Sequence, residues 1–239
     1  MSTADNPYRS TFTLAELAPA HERADFIRKT YAHLGGAVFA FAGIEAGLIQ
    51  TGLGDRMIET LGRSQFGWLI VIGAFMFVSY IADRWARSTT SSAMQYMGLS
   101  LYVAAEAVIF LPLLSYANHI DKLVIPTAGL ATVTVFAGLT AVVLLTGKDF
   151  SFLRTALWLG GFIAMGFVLC AALFGFSLGL VFSVAMVALA SGYILYDTSN
   201  VLHHYRIGQH VAAALALFAS VALLFFYIVR IILSLTSRD

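Results

Sequence analysis

Blocks of about 20 apolar residues recur seven times along this chain, each the length a helix needs to cross the hydrocarbon core of a bilayer. In lipid, a backbone satisfies its polar groups only in helices or a closed barrel, and blocks this long select helices. They run from about Tyr31 to Gln50, Phe66 to Ile81, Ala93 to Tyr116, Val124 to Thr146, Leu153 to Phe174, Leu178 to Asn200 and Val211 to Leu235. A composition of 59% hydrophobic and 11% charged residues lies outside the soluble globular range. The expected fold is an all-α membrane protein with seven transmembrane helices. It divides into a polar N-terminal arm, residues 1–25, and a transmembrane domain, residues 26–239. The arm has no apolar h-region, so the first span is expected to direct insertion.

Several local features refine this picture. Only Gly175-Phe176-Ser177 separates the fifth and sixth blocks, which predicts an antiparallel hairpin. Pro112 inside the third predicts either a kink or a break that opens a polar cavity. Gly35, Gly36, Gly43, Gly47, Gly160, Gly161 and Gly192, with Ala171, Ala172 and Ala212 to Ala214, are small enough to let helices approach closely. Cys170 has no partner for an intramolecular disulfide.

Basic residues set the orientation. One side collects Arg9, Arg23, Arg28, Lys29, Arg84, Arg87, Lys148, Arg154 and Arg206; the other has Arg56, Arg63, Lys122, Arg230 and Arg238. The bias favours a cytoplasmic N-terminus, and the compact loops fit a bacterial inner membrane. The net charge of +1 says nothing about a nucleic-acid partner, and no basic run suggests one.

Asp197, near the end of the sixth block, is the residue that calls for chemistry. A carboxylate at bilayer depth costs roughly 2.5–3.5 kcal/mol on insertion scales, so it must face protein or water. It is either kept neutral or paired with a buried partner such as an arginine. Glu106 and Glu45 are further acids at membrane depth, and Arg84 and Arg230 are candidate charge partners. His203 and His204 follow the sixth block, and imidazoles there can tune a response to pH near neutrality. A retinal protein would need a lysine in the last span, whereas the lysines are Lys29, Lys122 and Lys148. An intramembrane aspartyl protease would need a second facing aspartate, and Asp197 has none in another span. His203, His204 and His210 lack zinc-ligand spacing. No nucleophile–base pair, metal set or cofactor motif stands out, so an enzyme is not expected.

Ser191-Gly192-Tyr193-Ile194-Leu195-Tyr196-Asp197-Thr198-Ser199 resembles the sixth-helix signature of the Bax inhibitor-1 family of transmembrane proteins. Phe26-Ile27-Arg28-Lys29-Thr30-Tyr31, Leu111-Pro112-Leu113-Leu114 and Thr146-Gly147-Lys148-Asp149-Phe150-Ser151-Phe152-Leu153 resemble further family elements in the same order. The resemblance implies six helices around a central seventh and a pH-sensitive calcium leak channel, with suppression of cell death in eukaryotic members. It also implies two aspartates, on the sixth and seventh helices, that share a proton to gate the pore. Asp197 matches the first of these. At the second position, within Ala214-Leu215-Ala216-Leu217-Phe218-Ala219-Ser220-Val221-Ala222-Leu223, Ser220 replaces the aspartate and Leu223 the family's asparagine. The expected ion pathway is therefore Asp197 and Ser220, with Glu106 and Glu45 as secondary acids. The expected partners are the bilayer and a calcium ion. The alternative is a non-conducting scaffold that regulates other membrane proteins, such as quality-control proteases.

Overall fold

The computed structural model describes residues 13–63, 66–88 and 91–236. Arg9 and Arg238, two of the residues in the charge bias, lie outside the described residues. Eight α-helices follow one another: α1 (Ala20–Gln50), α2 (Leu53–Gly62), α3 (Gly67–Ala86), α4 (Ser92–Ile120), α5 (Val124–Thr146), α6 (Arg154–Phe174), α7 (Leu180–His203) and α8 (His210–Thr236). All but α2 are long and apolar enough to cross a membrane, and no strand occurs among the described residues.

Helix ends follow local chemistry. Gly147 ends α5 and Gly175 ends α6, both at positive φ (61° and 72°), a backbone state that favours glycine. Ser91 caps α4 by accepting from the Met94 N–H. Pro112 does not break α4, which runs without interruption to Ile120. The first span begins at Ala20, inside the stretch read as the N-terminal arm. The short helix α2 was not foreseen. Its Gly54 is seated so tightly on α4 that an added Cβ would lie 2.0 Å from Ser115 Oγ.

Burial separates the helices into inner and outer ones. α8 is apolar all round and buried along most of its length, as expected for an interior helix. It packs against α7, α1, α5, α4 and α3. The resemblance implied six helices around the last one; α6 instead rests mainly on α7, with a smaller contact to α3. The α6–α7 hairpin is antiparallel, with Gly160 against Leu189 and Gly192 against Leu157. Gly161 lies under the Tyr193 hydroxyl, which donates to the Leu157 carbonyl at 2.9 Å. Gly35, Gly36, Gly43 and Gly47 do not mediate close approach, because nothing lies within 4 Å of their Cβ positions.

α1, α4 and α8 run parallel, as the pairs His33–Tyr96, Phe41–Phe110, Tyr102–Phe218 and Phe110–Phe225 show. Between them lies an aromatic layer. Phe41 meets Phe110 edge to face at 5.2 Å between centroids, and Phe110 stacks on Phe225 at 6.0 Å.

Candidate functional site

The antiparallel pairing of α7 and α8 sets Asp197 opposite Ser220. The Ser220 hydroxyl donates to Asp197 Oδ2 at 2.6 Å, and Ser220 itself is buried. A hydroxyl therefore occupies the place where the resemblance implied a second carboxylate.

A second polar chain reaches Asp197 from the loop end of the bundle. Arg87, one turn after Asp83, donates from Nε to both carboxylate oxygens at 2.9 and 2.8 Å. This is the stabilising i, i+4 arrangement of an acid and a base at a helix end. The Asp83 bond raises the guanidinium's already high pKa. The charge of Arg87 reaches both Asp197 and the phenol of Tyr205. Burial pushes that phenol well above its ordinary pKa; Arg87 opposes this, while the charges of Asp197 and Asp83 reinforce it. Tyr205 thus stays a neutral hydroxyl.

The other expected residues are not gathered at Asp197. Glu106 is buried on α4 beside the Tyr102 hydroxyl, one turn earlier. Glu45 is 3% exposed, and neither of its carboxylate oxygens has a hydrogen-bond partner among the described residues. Glu106 lies one turn before Phe110 and Glu45 one turn after Phe41, on parallel helices whose phenylalanines touch. The aromatic layer therefore separates these two acids. Arg84 is exposed and donates to the Tyr80 hydroxyl at 3.3 Å, so it is not the partner of Asp197. Arg87, paired with Asp83, is the base whose charge bears on Asp197, without a direct ion pair to it among the described residues. Arg230 donates to the Leu178 carbonyl at 2.8 Å and lies over the Tyr227 ring, and it forms no ion pair with an acid among the described residues.

Near the C-terminal end of α7, Ser199 ties down the α5–α6 loop. Its hydroxyl donates to Asp149 Oδ1 at 3.1 Å and accepts from the Phe150 N–H at 2.9 Å. Slight burial works against ionisation of Asp149, but the Ser151 N–H, the Ser199 hydroxyl and the nearby His204 hold its carboxyl below the usual range. Its stabilising contribution is therefore present above its ordinary pKa of 3.8 and fades as pH falls through the lowered value. Ser199 is fully buried, so Ser199→Ala is expected to leave the Phe150 N–H unpaired. The expected cost is about 1–3 kcal/mol, read as a lower Tm in detergent.

Sequence reasoning passed over Asp83, Arg87 and Tyr205 as parts of one site. The Asp83–Arg87 spacing could have revealed the ion pair, but nothing in the sequence places Tyr205 against it.

Seven apolar helices enclosing an acid–hydroxyl pair define a polytopic helical membrane protein. A family model described as inhibitor of apoptosis-promoting Bax1 matches residues 23–238, and the chain belongs to that family. An uncharacterized protein of Pseudomonas aeruginosa is 32% identical over 158 residues, covering 66% of this chain and 68% of the relative. Two uncharacterized proteins of Neisseria meningitidis, from serogroups A and B, are each 27% identical over 217 residues, covering 89% of this chain and 92% of their own.

Proposed function

We propose that this protein is a cation leak pathway of the Bax-inhibitor type, permeable to calcium, with Asp197 as its principal acid. The observation that carries this reading is the Asp197–Ser220 pair between two membrane-spanning helices, reached by Arg87 and Tyr205 from one end. An acid at that depth is expensive to retain unless it serves a polar path or a polar contact. Calcium takes several oxygen ligands, and Asp197, Ser220 and water would meet it in passing. Glu106 and Glu45 act as secondary acids, one on each side of the aromatic layer. The layer closes the path in this conformation, so conduction requires Phe41 and Phe110 to part.

With Ser220 in place of a second carboxylate, no proton is shared at this pair. Any pH response must then arise otherwise than through a shared-proton carboxylate pair. The basic bias toward the end that carries Arg87, Lys148 and Arg206 favours that end as cytoplasmic, and the bacterial relatives fit a bacterial inner membrane.

The test is calcium flux into liposomes containing purified wild-type protein, compared with empty liposomes across pH. Flux above the empty control is expected. Flux equal to that control at every pH would replace this reading with the non-conducting scaffold.

A further inference from the structure

Residues 13–18 cross the end of the bundle as a strap and pair with the turn between α7 and α8. Ile207 N–H donates to the Thr13 carbonyl at 3.0 Å and Ala15 N–H to the Tyr205 carbonyl at 2.9 Å, with Leu14 bridged antiparallel to Arg206. Ala15 is fully buried against the bundle. The strap thus grips Tyr205, whose phenol feels the charge of Arg87.

One side chain fastens the strap to a second loop. His203, the last residue of α7, places Nδ1 3.2 Å from Glu16 Oε2 on the strap and Nε2 3.2 Å from the Gly147 carbonyl oxygen at the end of α5. A carbonyl oxygen only accepts, and so does an ionised carboxylate. A neutral imidazole has one N–H and can serve one of them, whereas imidazolium has two and serves both. We propose that His203 is a proton-operated clasp. Protonated, it pins the N-terminal strap to the α5–α6 loop across the end of α7; neutral, it lets one of the two go.

The surrounding charges fit this assignment. Glu16 is the acid on the strap. His204 adjoins His203 at 6.2 Å between ring centroids, and its own Nε2 faces Asp149 Oδ2 at 3.7 Å. Asp149 is thus already engaged by His204, Ser199 and Ser151. Lys148 and Arg206 neighbour the loop contacts in sequence, Arg154 begins α6, His210 and Arg230 are the ionisable bases of α8, and α5 carries no charged residue.

Two exposed positions, Leu17 on the strap and Phe152 on the loop, can carry spin labels as cysteines in a Cys170→Ala background. The distance between them is then read by pulsed electron resonance between about pH 5 and pH 8, where an imidazole ordinarily changes charge. Wild type is expected to show one short distance at the acid end and a longer population growing roughly fivefold toward the alkaline end, the scale of a partly exposed ion pair. His203→Gln and the exposed Glu16→Gln should each remove that dependence. An unchanged distance across pH in wild type would overturn the clasp, and so would a pH response that survives in either variant. The distance is read without transport, so a failure of calcium flux bears on the conduction reading alone.

Discussion

Asp197→Asn is expected to lower calcium flux in proteoliposomes by more than tenfold while leaving the fold intact. Asparagine has the shape of aspartate, and its carbonyl can still accept from Ser220, so the α7–α8 contact survives. What disappears is the charge. A unit charge about 4 Å from another, at an effective dielectric constant of about 20, contributes roughly 4 kcal/mol, and a divalent ion feels more. Each 1.4 kcal/mol or so is a factor of ten in occupancy. Weaker binding also lets an ion leave sooner, and a pore needs both steps. Only one carboxylate serves this pair, so losing it should fall on the side of failed binding rather than faster release. Flux within twofold of wild type, with an unchanged Tm, would remove Asp197 from the path.

Some of this site was legible in the residues, and the division has a physical basis. The bounds of α5 could be read directly, because Gly147-Lys148-Asp149 and the polar run before Val124 punctuate an apolar block. The start of α1 could not. Its first turns, Ala20 to Thr30, are polar and continue the helix beyond the apolar run. Hydropathy marks where lipid is, not where a helix stops. α2 escaped notice because ten residues are too few to span a bilayer. Asp197 showed itself as a charge in an apolar block, and the facing Ser220 followed from resemblance rather than spacing. The Arg87–Tyr205 contact and the strap join segments far apart in sequence, which local periodicity does not encode.

Glycines make the same point and lead to a second large effect. Gly36, Gly43 and Gly47 look like a packing stripe, yet open space faces them. Gly98, which sequence reading did not single out, is where two helices meet: a Cβ there would lie 2.5 Å from the Ala82 carbonyl oxygen and 2.5 Å from the Ala86 nitrogen. Those are backbone atoms of α3, so no side-chain rotation relieves the clash. Gly98→Ala gains about 1 kcal/mol of helix propensity, but forcing apart close-packed helices costs typically about 1–3 kcal/mol and occasionally more. Contact with backbone on two atoms places this site at the upper end, so destabilisation should win. α3 also delivers Asp83 and the following Arg87 to Tyr205, so displacing it should loosen the charged end of the site as well. The expected result is a Tm well below wild type in detergent and a lower yield of folded protein. Gly47→Ala, which meets nothing, should leave Tm unchanged or slightly raised. Equal melting of the two variants would mean that α3 and α4 do not approach at Gly98 as closely as this packing requires.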